Sequence, residues 1–187
     1  MPRPAHRPSQ RDTILEKVLA DLREEGSLAL SLDSAARAAH VSKAGLMYHF
    51  ASKEALVTSL VDHLVDAYEE ELRERLGAPS PEAATPTERI GAYARWALTA
   101  EHDTADLVML SDPRLWGQMT RRWSERLKPW LDVPAGLPEE ERARLTAVRL
   151  IADGCWFADA SGFLPVPRSD RASLLATTMA LLEGDPA

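Results

Sequence analysis

The sequence predicts an all-α protein built from two domains. Apolar residues recur at every third or fourth position along most of the 187 residues, as on one face of a helix, and no segment alternates like a strand. Two short periodic segments lie close together before residue 50, and the next one is long enough to extend beyond a small domain. We therefore expect about nine helices, divided between an N-terminal helix-turn-helix domain at residues 1–54 and a C-terminal helical domain at residues 55–187.

The first predicted helix follows a short basic segment. Residues 1–8 contain three prolines and several basic residues, so they are expected to form a disordered arm. The run after Ser9 carries a stripe of isoleucine, valine and leucine and ends near Gly26. This amphipathic helix is expected to set the angle of the two short helices that follow it.

Two short helices are predicted on either side of a tight break near Val41. The first follows Ser31, a candidate N-cap, and has a small, alanine-rich face. The second follows Ser42, another candidate N-cap, and has Leu46 and Phe50 on one side. Two short helices joined by so few residues must cross steeply, which is the geometry of a helix-turn-helix.

A long helix comes next, and the remaining segments are also helical in pattern. Leucines and Tyr68 recur every four residues from Lys53 to about Leu76, a length that connects the small domain to a second body. A loop rich in proline, alanine and serine follows, and Thr87 is the expected N-cap of the helix after it. Later apolar patterns predict helices over about 104–110, 113–131, 139–161 and 169–182.

The net charge of −7 argues against a nucleic-acid partner until the charges are located along the chain. Residues 1–54 carry eight lysines and arginines against seven acidic residues, a net +1, so the acidic excess lies in the rest of the chain. Screening makes this regional charge matter more than the total. The basic residues expected to face phosphates are Arg3, Arg7, Arg11, Arg37, Lys43 and Lys53.

Cysteine usage and hydropathy indicate the compartment. Cys155 is the only cysteine, so no intramolecular disulfide can form, and its apolar neighbours predict a buried thiol. No apolar run is long enough to cross a bilayer, and the basic N-terminus lacks the apolar segment of a signal peptide. We expect a cytoplasmic protein without a membrane partner.

The segment from Ser31 to Leu56 combines a capped helix, a Val-Ser turn, a Tyr-His-Phe helix and a Ser-Lys-Glu start to the next helix. Its characteristic residues are Ser31, Ala35, Ala36, Ala39, Val41, Ser42, Gly45, Leu46, Tyr48, Phe50, Ser52, Lys53, Glu54 and Leu56. In these residues the chain resembles the TetR family of bacterial transcriptional regulators. Met47 and His40 depart from the family pattern, and His40 stands where the turn usually has a small residue.

The resemblance implies a DNA-binding transcriptional regulator whose second short helix enters the major groove. The residues expected to contact DNA are Ser31, Ser42, Lys43, Ala44, Gly45, Tyr48, His49 and Lys53. Of these, Lys43, Ala44 and Gly45 are expected to face bases. Tyr48 and His49 are expected to contact phosphates or thymine methyl groups, and the two serines and Lys53 to contact the DNA backbone.

Several of these assignments have a purely structural alternative. Tyr48 is alternatively a half-buried core residue, His49 an ordinary surface residue and Lys53 a solvated charge. Ser31, Ser42 and Ser52 cap helices whatever else they do. The arm at residues 1–8 is either a solvated tail or a segment that reaches into a minor groove.

One short helix reads too few base pairs for useful specificity, so we expect a homodimer on a palindromic operator. As in the family, the last two helices are expected to form the dimer interface, with the side chains of Val148, Ala152, Cys155, Leu174, Thr178 and Leu181. Alternatively, these faces only complete the core of one subunit.

All five tryptophans lie in the second domain, where they form either an ordinary core or an effector cavity. The expected cavity residues are Trp96, Met109, Trp116, Met119, Trp123, Trp156 and Phe157. A small apolar or amphipathic effector is then expected to release a repressor from its operator. The alternative is a ligand-independent dimeric DNA-binding protein or a partner-responsive interaction protein.

Patterns of catalytic chemistry are absent from the sequence. It contains no Glu-x-x-His pair, phosphate-binding glycine loop, Cys/His metal cluster or nucleophile elbow. The acidic and histidine residues around His63 and His102 are interpreted as solvated faces. We therefore expect neither enzymatic activity nor a cofactor nor a metal site.

Overall fold

The computed structural model describes residues 9–184, which form eight α-helices and two 3₁₀ helices and confirm the all-α class. The predicted arm at residues 1–8 lies outside the described residues. The 3₁₀ helices are Pro81–Ala83 and Thr104–Leu110. The α-helices are α1 Gln10–Glu25, α2 Leu32–Ala38, α3 Lys43–His49, α4 Lys53–Leu76, α5 Pro86–Thr99, α6 Trp116–Leu131, α7 Glu139–Ser161 and α8 Arg171–Glu183.

The chain packs into two compact units. The N-terminal unit ends at Leu64 and also includes Thr104–Thr120, whereas the C-terminal unit contains Val65–Asp103 and resumes at Arg121. These units differ from the expected domains 1–54 and 55–187, because the first turns of α4 and the segment Thr104–Thr120 pack with the N-terminal helices. The 3₁₀ helix Thr104–Leu110 lies against α1, a contact that local periodicity does not reveal.

Helix α1 supplies the base on which the two short helices rest. It begins at Ser9, whose hydroxyl accepts a hydrogen bond from the Asp12 backbone N–H, and the Asp12 carboxylate accepts one from the Ser9 backbone N–H. It ends at Gly26, which has a left-handed φ of 60°. Its buried face is the predicted stripe, each member of which contributes about 1.5–3 kcal/mol through burial: Ile14, Leu15, Val18, Leu19 and Leu22.

The turn between α2 and α3 is closed by two backbone hydrogen bonds. The His40 N–H donates to the Arg37 carbonyl and the Val41 N–H donates to the Ala36 carbonyl, both at 3.0 Å. This is the Schellman arrangement, in which the residue after the C-cap takes a left-handed conformation. His40 is that residue, with a φ of 56° and an exposed side chain. His40, which departs from the family pattern, therefore occupies a position whose backbone conformation favours glycine.

The start of α4 is held by a buried carboxylate. The Lys53 ammonium lies 3.1 Å from Asp112, and Asp112 also accepts hydrogen bonds from the Arg114 side chain at 2.9 and 3.1 Å. Asp112 is only 5% exposed. The hydrogen bonds from Arg114, with help from Lys53, hold the pKa of the Asp112 carboxyl well below its ordinary value of 3.8. This cluster joins the segment after Thr104 to the helix that follows α3.

The core of the C-terminal unit forms around α5, which packs against α7 and α8. Helix α5 is capped by Thr85 rather than by Thr87, so that prediction was wrong. Pro86 needs no hydrogen-bond acceptor at the first helical position, and the Glu88 carboxylate accepts a hydrogen bond from the Thr85 backbone N–H at 2.7 Å. The residues that α5 buries are Arg89, Ile90, Gly91, Ala92, Tyr93, Ala94, Trp96, Ala97 and Leu98.

The left-handed turn residue leads to a first prediction. Replacing His40 by glycine should raise the free energy of unfolding by about 0.5–1 kcal/mol, because relief of about 1–2 kcal/mol of strain exceeds the entropic cost of glycine. Urea unfolding measures the change. Ala20→Gly, in the exposed interior of α1, should instead lower stability by about 0.5–1 kcal/mol. Equal destabilisation by both substitutions would show that His40 is not strained.

The Asp112 cluster leads to a second prediction, on pH. The ionised carboxylate stabilises the folded state, so its contribution is complete above pH 3.8 and is lost as the pH falls below that value. Asp112→Asn should therefore lower the urea midpoint at neutral pH, and its gap from the wild type should shrink in acid. Asp33→Asn, at an exposed carboxylate, should produce a much smaller gap. A gap for Asp112→Asn that stays constant down to about pH 2 would contradict this electrostatic account.

Candidate functional site

Helix α3 has one buried side and one exposed side. Leu46 and Phe50 are 0% and 1% exposed, respectively, and attach the helix to the N-terminal unit. On the other side Lys43 and Ala44 are exposed, and Tyr48 is 87% exposed. The interpretation of Tyr48 as a half-buried core residue is therefore wrong. A tyrosine with this exposure lies outside the core of the N-terminal unit, and most of its ring is accessible to a partner.

His49 is half-buried, and its ring lies against that of Tyr48. The centroids are 5.2 Å apart and the planes are nearly perpendicular, an edge-to-face contact that orients the phenol ring. The two residues therefore form one aromatic projection at the end of α3. Whether His49 itself touches DNA stays a prediction.

The three predicted serine caps are confirmed, and the Ser52 hydroxyl accepts a hydrogen bond from the Ala55 N–H at 3.1 Å. The Ser42 hydroxyl accepts a hydrogen bond from the Gly45 N–H at 3.0 Å, and the Ser31 hydroxyl accepts one from the Ser34 N–H at 3.0 Å. A Cβ added to Gly45 would lie 3.2 Å from the Ser42 hydroxyl oxygen and 3.8 Å from the Val41 Cβ. Gly45 is thus crowded by the capping turn of its own helix.

The basic side chains expected to face phosphates are mostly engaged within the chain. The Arg11 guanidinium lies 5.0 Å from the centre of the Phe50 ring and donates to the Ser59 hydroxyl at 2.5 Å. Lys43 pairs with Asp33 at 3.0 Å, with both side chains more than half exposed. Arg37 is exposed and has no ion-pair partner among residues 9–184. Arg11 therefore serves the structure, while Lys43 can exchange partners.

The C-terminal unit contains a cavity of about 530 Å³ between α4, α5, α6 and α7. Four of the seven residues predicted for an effector cavity line it, namely Trp96, Trp123, Trp156 and Phe157. The other three belong to the N-terminal unit: Met109 and Met119 are buried there, and Trp116 is 58% exposed. The sequence did not single out the remaining lining residues, which are Tyr68, Leu72, Tyr93, Ser124, Leu127, Lys128, Leu131, Asp132, Arg149 and Asp153.

A polar network lies in the cavity wall. The Tyr93 hydroxyl donates to Asp153 at 2.7 Å, and Arg149 pairs with the other oxygen of that carboxylate at 3.1 Å. Burial, together with the nearby Asp153 carboxylate, holds the pKa of Tyr93 well above its ordinary value of 10, so the phenol stays a donor. Spacing of four on α7 would have suggested the Arg149–Asp153 pair, but only the fold brings Tyr93 to it.

Most of the predicted interface residues are buried within the single chain. Val148, Ala152 and Thr178 are 0% exposed and Cys155 is 9% exposed, so these side chains cannot lie in contact with a second copy. The predicted buried thiol is confirmed. Leu174 and Leu181 are partly exposed. These four residues therefore belong to the core of one subunit, as the alternative interpretation of the sequence proposed.

The opposite sides of α7 and α8 carry a stripe of exposed or partly exposed residues, none of them charged. On α7 the stripe follows helical spacing, and its largest member, Leu150, is 55% exposed. We call the set the α7–α8 stripe, and it consists of Ala143, Ala147, Leu150, Gly154, Ala158, Ala172, Ser173, Ala176 and Thr177. Its small side chains permit close approach of another helix.

Residues 9–184 contain neither a membrane-spanning helix nor a cluster of metal ligands. That range holds no helix with the length and hydropathy needed to span a membrane. It also holds no group of three or more histidine, cysteine or acidic residues placed to bind a metal ion.

Comparisons with known proteins agree with this architecture. Residues 14–60 match the model of bacterial regulatory proteins of the tetR family, and residues 87–183 match a tetracyclin repressor-like, C-terminal domain. The HTH-type transcriptional regulator BetI of Rhizobium meliloti (strain 1021) is 31% identical over 108 residues, which are 58% of this chain and 51% of BetI. The matched segment thus spans about half the length of that relative.

A solved structure extends the comparison to the whole fold. The crystal structure of Mycobacterium smegmatis AmtR matches with a TM-score of 0.51 at 18% identity, covering 100% of this chain and 92% of AmtR. The likeness to AmtR establishes the shared fold, and the two family models identify both parts of the chain. From the exposed face of α3 and these matches, we conclude that the chain is a DNA-binding transcriptional regulator, not an enzyme, and belongs to the TetR family.

Proposed function

We propose that this protein is a homodimeric repressor that binds a palindromic operator through α3 and leaves it when a small effector occupies the cavity. The observation that carries the proposal is the exposure of Tyr48 beside Lys43 and Ala44, opposite the buried Leu46. The buried side fixes α3 in place, and the exposed side matches what a recognition helix needs for the major groove.

The side chains of α3 suit different parts of a DNA duplex. Ala44 and Gly45 are small enough to let the helix approach base edges, and Lys43 reaches a guanine edge or a phosphate. Tyr48 presents a flat apolar ring to a thymine methyl group and a hydroxyl to a phosphate. Ser31 and Ser42, at exposed positions, are placed to meet the DNA backbone on either side of the turn.

The ion pairs within the N-terminal unit are compatible with DNA binding. An exposed pair such as Lys43–Asp33 is worth at most about 1 kcal/mol, so a phosphate or base can replace Asp33. Lys53 has three ammonium N–H donors and a partly exposed side chain. Lys53 can therefore keep its ion pair with Asp112 while a second N–H donates to a phosphate. That contact would fix the start of α4 on the DNA backbone.

The α7–α8 stripe supports the homodimer. Leu150 is exposed among small residues, and α8 carries no charged residue from Ala172 to Leu182. Burial of uncharged helix faces of this kind is favourable. In a dimer with two-fold symmetry, α7 and α8 of one copy would cover α7 and α8 of the other. A two-fold dimer presents two copies of α3, which accounts for a palindromic operator.

The position of α4 supports a connection between cavity and DNA. This one helix begins with Lys53, directly after α3, and contributes Tyr68 and Leu72 to the cavity wall. An effector that contacts Tyr68 and binds one conformation better than the other would shift the population toward the form with lower operator affinity. Release of the repressor follows from that differential affinity.

Selection of duplexes from a random DNA library tests the operator proposal. The wild type should enrich one palindromic motif, and Lys43→Ala should weaken binding to it at least about tenfold and reduce the salt slope by about one. Tyr48→Ala should weaken binding with little change in that slope. Arg121→Ala, an exposed cation of the C-terminal unit, should change neither quantity.

Folding controls make the result decisive. Circular dichroism and sedimentation should show that each variant keeps its helicity and its oligomeric state. Failure of the folded wild type to enrich any motif would contradict operator binding. A motif that is bound equally with and without every ligand tested would favour the ligand-independent regulator.

A substitution in the stripe tests the dimer. Leu150→Glu should weaken dimerisation at least about tenfold, because a carboxylate would be buried without a partner between the two copies. Sedimentation equilibrium measures the dissociation constant. Ala20→Glu, at an exposed helical position of α1, should leave the dimer intact. A Leu150→Glu variant that dimerises like the wild type would place the interface elsewhere.

A further inference from the structure

We infer that the cavity binds an uncharged, planar aromatic molecule that carries a hydrogen-bond acceptor. The inference rests on the proposed effector role of the cavity and names the chemical class of its occupant. Three features of the wall carry it: the arrangement of aromatic rings, the pairing of all four charged side chains, and unpaired indole N–H groups.

Aromatic rings from four helices form a continuous series in the wall. Tyr68 of α4 lies 4.7 Å from Trp96 of α5 and 5.7 Å from Trp123 of α6, measured between ring centroids. Trp123 lies 5.7 Å from Trp156 of α7, with a 40° angle between the planes. Rings in such a series expose flat faces and edges on which another aromatic ring stacks favourably.

The charged side chains of the wall are already compensated. Arg149 pairs with Asp153 at 3.1 Å, and Lys128 pairs with Asp132 at 2.5 Å. These are the four charged residues that line the cavity, so the wall has no net charge. A charged ligand beside the partly buried Arg149–Asp153 pair would have to break that pair or enter without a counter-ion, whereas a neutral ligand leaves it intact. The Lys128–Asp132 pair is more exposed, at 69% and 46% of the two side chains, so it opposes a charged ligand less.

Two indole groups lack a hydrogen-bond acceptor. The Nε1 atoms of Trp96 and Trp156 are buried and have no partner within residues 9–184. An indole N–H only donates, and leaving it unpaired in an apolar wall costs free energy. Trp156 is only partly buried as a residue and lines the cavity, so a small adjustment of its ring would bring the N–H to a carbonyl or ether oxygen of the ligand.

The volume limits the size of the occupant. A cavity of about 530 Å³ lies within the range of roughly 300–1,000 Å³ that is usual for small-molecule sites. Ligands with two or three fused rings fit within this volume and can lie against several rings of the aromatic series.

Three bicyclic probes of similar size separate the possible ligand charges. Naphthalene-2-carboxamide is neutral and has a carbonyl acceptor, naphthalene-2-carboxylate is an anion, and 1-methylquinolinium is a cation. Calorimetric titration of the full-length protein should give at least about tenfold tighter binding for the amide than for either ion. Tightest binding by the cation would overturn the inference and indicate that the rings act as a cation site.

A matched pair of variants tests the donor. Trp156→Phe keeps an aromatic ring but removes the indole N–H, and it should weaken binding of the amide about five- to tenfold. Trp123→Phe makes the same change at a ring of the same wall, but the Trp123 N–H is not among the buried donors without a partner. The affinity for the amide should therefore fall by less than about threefold. Equal losses would overturn the role of the acceptor. Circular dichroism of both variants checks that they are folded.

The outcome is separable from that of the proposed function. A protein that binds its selected operator but none of the three probes at millimolar concentration would overturn the inference and leave the regulator intact. A protein that binds the amide but enriches no DNA motif would support the ligand class and contradict operator binding. Weakening of operator binding by the amide alone supports both.

Discussion

Burial of Leu46 and Phe50 decides which side of α3 faces solvent. A helix of this length has little stability of its own, so its orientation comes from the apolar side chains that it buries. Phe50 has a further role, because the Arg11 guanidinium lies over its ring and also donates to Ser59 on α4. The exposed positions of Lys43 and Tyr48 thus depend on a clamp that involves α1, α3 and α4.

The charges of the N-terminal unit show why total charge is a poor guide to its partner. A chain of net charge −7 carries a recognition helix because the acidic excess lies beyond residue 54. Within the unit, basic side chains have different tasks: Arg11 packs on an aromatic ring, and Lys53 neutralises the buried Asp112. Lys43 is held only by an exposed ion pair. Of these three residues, Lys43 has the most exposed ion pair, which fits its proposed contact with DNA.

Helix α7 faces two environments, and both of its sides are largely apolar. Val148 and Ala152 fill the core of the C-terminal unit, Trp156 lines the cavity, and Leu150 and Gly154 lie exposed on the other side. When apolar residues surround most of a helix, periodicity cannot assign the inner side. The residues predicted for the interface were therefore inner ones, and their burial moves the proposed interface to the α7–α8 stripe.

By itself, the sequence determined the features that arise from neighbouring residues. The all-α class and the serine caps of α2 and α3 depend on contacts within one or two helical turns, so spacing predicted them. The spacing of Leu46 and Phe50 also marked the apolar side of α3, although its burial needs the neighbouring helices. Tertiary structure alone decided that Asp112 meets Lys53 and that Thr104–Thr120 packs with the N-terminal unit. It also brought Tyr68, Tyr93, Trp123 and Asp153, from four different helices, into one cavity wall. Such contacts join residues far apart in the chain, and only the packing of whole helices sets which side chains meet.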